Sequence, residues 1–247
     1  MDKLFVVGQN TDCNVKNKLS ECGSILELKP HKSLANPVSC HPDMIFSVIA
    51  KNTVVYAPDC DENILADMSN FGIELICGKT FLKDTYPYDI AYNTLTVDRI
   101  FYHNIYYTDS VVLSEYAKRE ILPVNVKQGY TGCSSKIICR RSGKIAAVTS
   151  DMGMYKAMQS QNINVFYFKN FSKIALPGYD HGFIGGCCGY DNEADILYIM
   201  GNLDDRDRAE LTDFVDDGID LIELGLVGNS PKNTFLADFG GILIFTR

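Results

Sequence analysis

One supersecondary unit recurs along this chain, and the recurrence restricts the fold more than any other feature. In CHPDMIFSVIAKNTVVYAP a first strand begins near Asp43, Lys51 and Asn52 form a polar break, and Thr53–Tyr56 is a β-branched second strand. DENILADMSNFG then reads as a helix. Asp61 is its N-cap, Ile64, Leu65 and Met68 form its apolar stripe, and Gly72 stops it. IELICG supplies a third, buried strand.

The strand–strand–helix–strand order returns three times. YPYDIAYNTLTVDRIFYHN, DSVVLSEYAKRE and LPVNVKQ form the second unit. GYTGCSSKIICRRSGKIAAVTSD, MGMYKAMQSQN and INVFYFK form the third, with Ser150 or Asp151 capping its helix. GYDHGFIGGCCGYDNEADILYIMGN, LDDRDRAELTDFVDDG and IDLIELG form the fourth. Aligned starts place Asp43, Asp89, Thr131, Asp180 and Asp238 in register, at spacings of 46, 42, 49 and 58, the last enlarged by the insertion GNSPKNT. The fifth unit is split. LADFGGILIFTR gives its first strand, while KLFVV, DCNVKNKLSECG and SILELKP at the N-terminus give the strand, helix and strand that complete it. The last strand is therefore expected beside the first, closing the repeat into a ring that leaves no large sheet edge exposed.

Composition narrows the partners. The 247 residues carry a formal net charge of −8, and the longest basic cluster is Arg140-Arg141. A nucleic-acid binder shows a basic stripe, so a small cation is the better-fitting partner. The apolar run Leu4–Val7 is too short for a signal peptide, and no later run reaches eighteen residues, so a cytoplasmic chain without membrane spans is expected. Nine cysteines without a C-x-x-C pair read as reduced thiols, with no structural zinc site and no cofactor expected. A homodimer remains open.

HPDM, YPYDIAYN, VKQGYTGCS, TSDMG, GYDHGFIGG and DFGGIL resemble a group of small bacterial proteins assigned to the pentein fold, across essentially the whole chain. That resemblance implies an α/β fold: a single domain over 1–247, a β/α-propeller of five such units around a pseudo-fivefold axis. The fold is shared with guanidino-group-modifying enzymes such as arginine deiminase, dimethylarginine hydrolase, the amidinotransferases and agmatine deiminase. In those enzymes a cysteine near the C-terminus attacks the guanidinium carbon, a histidine moves the proton, and carboxylates hold the cationic nitrogens. This chain departs at the nucleophile: FLADFGGILIFTR contains no cysteine.

The candidates follow from repeat position. Cys133, just past a repeat start, is a displaced nucleophile or a small buried thiol. His181, after Asp180 and before Gly182, is the foremost general acid/base, and His41 in CHPD is the second. Asp43, Asp89, Asp180 and Asp238 supply an acidic centre, or else cap turns. Tyr88, Tyr130 and Tyr179 directly precede three aligned starts and stack on a planar cation or pack between units. Asn93 and Gln128 add amide contacts, and Cys187 and Cys188 read as structural thiols. Two functions remain open: an enzyme acting on a guanidino or amidino substrate, and a non-catalytic pentein that binds a small molecule or another protein. The translation-initiation anti-association factor shows that the fold also serves without catalysis.

Overall fold

The computed structural model describes every residue except 1, 140–142, 216–217 and 227–235. The GNSPKNT insertion and the Arg140-Arg141 pair lie outside the described residues.

Five three-stranded sheets carry the repeat. In the first, β1 (Lys3–Gly8) is followed by α1 (Cys13–Ser20) and β2 (Ser24–Leu28). A one-turn helix, α2 (Pro42–Ile45), opens the second unit: β3 (Phe46–Ala50), β4 (Thr53–Tyr56), α3 (Glu62–Asn70) and β5 (Glu74–Cys77). Next come β6 (Leu95–Val97), β7 (Ile100–His103), α4 (Ser110–Lys118) and β8 (Leu122–Asn125). Another one-turn helix, α5 (Thr131–Ser134), leads into β9 (Ser135–Cys139), β10 (Ile145–Thr149), α6 (Met152–Ser160) and β11 (Asn164–Tyr167). After the short β12 (Ile174–Ala175) come β13 (Cys188–Asp191), β14 (Ile196–Ile199), α7 (Asp205–Val215) and β15 (Asp220–Glu223). The chain ends with β16 (Leu236–Ala237) and β17 (Leu243–Thr246).

These five sheets share one pairing pattern. In four of the three-stranded sheets the middle strand pairs antiparallel with the strand before it and parallel with the strand after it; in the fifth, β1 takes β17 as its antiparallel partner. The hairpin needs only a short turn, whereas the parallel return needs a crossover, which the helix provides. Middle strands therefore lie between two partners, and their sequences are continuous apolar runs such as FVV in β1 and VV in β4, fully buried. The third strands are outer edges with mixed exposure, as in β5 and β15.

The chain termini meet in one sheet of order β17-β1-β2, with Lys3 opposite Thr246 and Val6 opposite Leu243. Among the described residues that sheet is three-stranded, and no sheet closes upon itself. A two-stranded sheet of β12 and β16 joins the fourth unit to the segment before β17. The first strands β3, β6, β9, β13 and β17 all contribute to the lining of one cavity of about 340 Å³.

The expected caps are present. The Asp61 carboxylate accepts from the Asn63 amide, Ile64 and Met68 are buried, and Gly72 takes φ +97°. Asp151 caps α6 by accepting from the Met154 amide. The first strands, however, start later than the aligned aspartates. Pro42 presets a helical φ, and Met44 and Ile45 bury themselves in one turn before β3 begins at Phe46. Asp180 lies well ahead of Cys188, where β13 begins, so the five aligned positions are not equivalent in the fold.

Phe245 is 1% exposed and belongs to the largest apolar cluster. Phe245→Ala should lower unfolding free energy by about 3–5 kcal/mol in a urea titration. Phe81→Ala, at a ring 63% exposed, should stay within about 0.5 kcal/mol of wild type. Equal small effects would mean that the terminal strand is not part of the core.

Candidate functional site

Four segments meet at a cavity of about 270 Å³, within reach of a small ligand. His41 and Met44 come from the start of α2, and Tyr130 and Cys133 from α5 and the residue before it. Leu176, Tyr179, Asp180, His181 and Phe183 come from the loop after β12, and Asp238 from the residue after β16. No lysine or arginine is among its described lining residues.

Asp238 is fixed from both sides. Its Oδ2 accepts from the Phe183 amide at 2.8 Å and its Oδ1 from the Gly240 amide at 3.0 Å. Its own amide donates to the Ala175 carbonyl at 2.9 Å. Glycines make room for it. A Cβ on Gly186 would fall 1.9 Å from Asp238 Oδ1, and one on Gly240, at φ +79°, would fall 2.3 Å from His41 Cβ.

His41 is buried, with its Nδ1 3.8 Å from Asp238 Oδ1 and neither ring nitrogen hydrogen-bonded. Burial lowers its pKa, and the Asp238 charge opposes that only in part, so the ring is neutral near pH 7. Asp43 is buried two residues on, and both its carboxylate oxygens lack a hydrogen-bond partner at ordinary geometry. Burial, then the Asp238 charge, pushes its pKa up to about 7, while nearby Cys133, Lys136 and Asn93 pull it down. One donor atom each of His41, Asp43 and Cys133 lies within 4.8 Å of the others.

Cys133 Sγ accepts from Asn93 Nδ2 at 3.0 Å. The thiol pKa is pushed well above its ordinary value, first by burial and then by Asp43 and Asp238. In the free protein Cys133 is therefore a thiol rather than a thiolate. Asn93 holds this group together. Its Nδ2 also donates to the Asp43 carbonyl at 3.0 Å, and its Oδ1 accepts from the Gly132 amide at 2.7 Å. The Asn93 amide is thus engaged by protein at both ends.

The expected candidates divide. His41, Tyr130, Cys133, Tyr179, Asp180, His181 and Asp238 share the cavity, Asp180 and Tyr179 at its exposed rim. Asp43 stands behind His41 and Cys133 and lines the other cavity, the one shared by the five first strands. Asp89 sits behind the wall, accepting from the Tyr130 hydroxyl at 2.7 Å, and burial raises its pKa. Tyr88 is outside, half exposed, edge-on to Tyr107 and beneath Lys83. Gln128 donates to Asp151 at 2.9 Å and lines a separate surface pocket. The histidine beside Cys133 is His41. His181 donates from Nδ1 to the Gly182 carbonyl at 3.0 Å, which leaves Nε2 as the basic atom, and it packs against Phe171 and Phe183. Cys187 and Cys188 are buried with thiol pKa values raised by burial. All nine cysteines are free.

Sequence reasoning passed over Phe183, Met44 and Lys136. Lys136 lies one residue into β9, the strand after Cys133, which is the signal that could have flagged it.

The chain belongs to a family of unknown function, DUF6873, whose profile matches residues 6–243. A search of curated proteins by sequence finds no match. Among solved structures, the chain is similar to SxtG, an amidinotransferase from Microseira wollei in the saxitoxin biosynthetic pathway. The TM-score is 0.50 at 11% identity, over 96% of this chain and 93% of that one. It is also similar to the N-terminal domain of ArgZ, an arginine dihydrolase from the ornithine-ammonia cycle in cyanobacteria. For the substrate-bound form the TM-score is 0.50 at 12% identity, over 91% of each chain. For the product-bound form it is 0.50 at 11% identity, over 92% of each. At such identities the likeness defines the fold: an α/β fold resembling pentein amidinotransferases and dihydrolases.

Two outcomes follow. In native protein at pH 7, iodoacetamide should label the exposed Cys13, Cys22, Cys77 and Cys139 before the buried Cys133, Cys187 and Cys188. Early labelling of Cys133 would mean a thiolate stabilised by a charge this site lacks. Asp43 gives a pH signature. Ionising it in the folded protein costs roughly 4 kcal/mol, given the rise from 3.8 to about 7. Its folded pKa exceeds its unfolded one, so its contribution is complete below about pH 4 and is lost as pH rises through about 7. The melting temperature of Asp43→Asn relative to wild type should therefore climb by several degrees between pH 5 and pH 8. A pH-independent difference would exclude Asp43 as the titrating group.

Proposed function

We propose that this chain is a guanidino- or amidino-group-modifying enzyme, a hydrolase or transferase acting on a small cationic, arginine-like substrate. One observation carries the reading: an aromatic-walled cavity holds Asp238, Asp180 and a cysteine, with no cation in its described lining. A guanidinium is planar, donates to carboxylates in bidentate fashion and stacks on aromatic faces. Asp238 keeps lone pairs beyond those given to Phe183 and Gly240, and Asp180 stands at the rim. Tyr130, Tyr179 and Phe183 are the walls on which the cation stacks.

Cys133 is the proposed nucleophile. A guanidinium bound beside it offsets the Asp43 and Asp238 charges and lowers the thiol pKa. His41 accepts the thiol proton, and Sγ bonds to the guanidinium carbon. The proton then passes to the departing amine as the carbon–nitrogen bond breaks. Water or an acceptor amine releases the carbon from sulfur. His181, with Nε2 free, is the second proton carrier.

We extend the proposal to the architecture: the five sheets stand as blades of one domain around a pseudo-fivefold axis. Two observations support this, the shared lining of one cavity by all five first strands and the pairing of β17 with β1. Nine free thiols suit a cytoplasmic setting. Among the described residues, no helix is long and apolar enough to cross a membrane.

A second reading, a non-catalytic binder, is favoured by two observations: burial raises the thiol pKa, and the C-terminal segment offers no cysteine. A thermal-shift series with arginine, agmatine and other guanidino compounds, followed by assay for ammonia or amine release, separates the readings. Stabilisation with turnover, lost in Cys133→Ser, is the expected result. Stabilisation without turnover selects the binder. No shift with any guanidino compound, alongside a shift with anions, rejects the cationic site.

A further inference from the structure

His41, Asp43 and Cys133 have a second chemistry that needs no guanidino substrate. They combine an imidazole, a carboxylate and a thiol, the three donor types that zinc-class ions take from proteins. All three are buried, and their donor atoms lie within 4.8 Å of one another. Two of them carry an unmet demand. Both ring nitrogens of His41 are buried without a hydrogen-bond partner, and both carboxylate oxygens of Asp43 are buried with no partner at ordinary geometry, only the looser approach of Cys133 and Asn93. Such groups are rare, because each loses its contacts with water and gains little in return. A bound cation would meet both demands at once.

The geometry is close to that of a three-ligand site. Zinc bonds of about 2.0–2.3 Å in a tetrahedron place ligand atoms on the order of 3.5 Å apart. Side-chain rotations of about an ångström would therefore close the triad. Two of the ligands sit on one-turn helices fixed by the backbone. Asn93 ties them together, bonding to the Asp43 carbonyl, the Cys133 thiol and the Gly132 amide. Asp238 Oδ1 lies 3.8 Å from His41 Nδ1, beyond hydrogen-bond distance but near enough for a small ring rotation to make it the carboxylate partner that metal-bound imidazoles carry. His41 and Cys133 line the small cavity, so a fourth position would open towards it.

We propose that His41, Asp43 and Cys133 form a binding site for one zinc-class divalent ion, with its fourth position open to the cavity. Binding displaces the thiol proton to solvent and leaves Cys133 ligated as a thiolate. An ion held there occupies the sulfur lone pair, so the metal-bound and thiol-nucleophilic forms of the protein exclude each other.

Cobalt(II) is the probe, because a cobalt–thiolate bond gives a charge-transfer band in the near ultraviolet. Purified, chelator-treated, full-length protein titrated with cobalt chloride should develop this band and saturate at one equivalent. Zinc chloride should then bleach it. Cys133→Ser should abolish the band, and Asp43→Asn should weaken cobalt binding at least about tenfold, each in protein whose circular dichroism matches wild type. Joint replacement of Cys13, Cys22, Cys77 and Cys139 by Ser, which removes the exposed thiols, should leave the band intact and so excludes surface cysteines as its source. With zinc bound, the slow alkylation of Cys133 should stop altogether. Absence of the band in wild type, or its persistence in Cys133→Ser, overturns the proposal. The guanidino reading fails separately, through thermal shifts measured in metal-free protein. A cobalt band with no guanidino effect leaves the metal site standing, and the converse result removes it alone.

Discussion

The Asp238 carboxylate is the point on which the site's construction depends. A buried charge is costly unless hydrogen bonds compensate it. Asp238 is compensated by two backbone amides, from Phe183 and Gly240, rather than by a cation. That choice has consequences along the chain. Glycines frame the carboxylate: a Cβ on Gly186 would strike Asp238 itself, and one on Gly240 would strike His41. The negative charge reaches five neighbours, Cys187 and Cys188 among them. It raises Asp43 and Cys133, and it partly offsets the effect of burial on His41. One carboxylate held by neutral donors thus leaves the described lining of the cavity without a cation to balance it.

Much of the fold was legible because its signals are local. The middle strands are continuous apolar runs, and Asp61 and Asp151 cap helices from the positions their sequences suggest, whereas IELICG, expected as a buried strand, is an outer edge of mixed exposure because nothing among the described residues pairs beyond it. The split fifth unit was legible too, since KLFVV and ILIF each had the character of a strand without a partner nearby, and they pair. The strand starts were misplaced. CHPDMI and GYTGCSS look extended, yet each holds one helical turn, Pro42–Ile45 and Thr131–Ser134. A single turn is too short to leave a helical period, and burial of Met44 or Cys133 decides it from outside the segment.

The site was legible as an inventory and less so as an arrangement. Repeat position selected His41, Tyr130, Cys133, His181 and Asp238, which do share a cavity. It also selected Tyr88 and Gln128, which face elsewhere. Alignment by register assumes that every unit leads into its strand in the same way. The loop from Asp180 to Cys188 is longer than the turn from Asp43 to Phe46, so the two aspartates reach different depths. For the same reason the histidine nearest Cys133 is His41. Its position depends on Gly240, in a segment almost two hundred residues away, and no local pattern reports that contact.

The missing C-terminal cysteine looks different once the turns before the strands are compared. The segments ahead of β3 and β9, the 180s loop and the segment between β16 and β17 all reach one cavity. Each presents a short stretch of backbone held by neighbours from other units, as Asn93 holds Asp43 and Cys133. A thiol supplied by α5 and a carboxylate supplied after β16 can therefore lie beside the same space as the reverse assignment would allow. What the exchange does alter is the charge next to sulfur. Here the thiol lies among Asp43, Asp238 and a neutral His41 rather than beside a cation, so its reactivity depends on whatever positive charge enters the cavity. That dependence links both chemistries argued for this site, since a guanidinium and a zinc-class ion each supply the charge the protein leaves out.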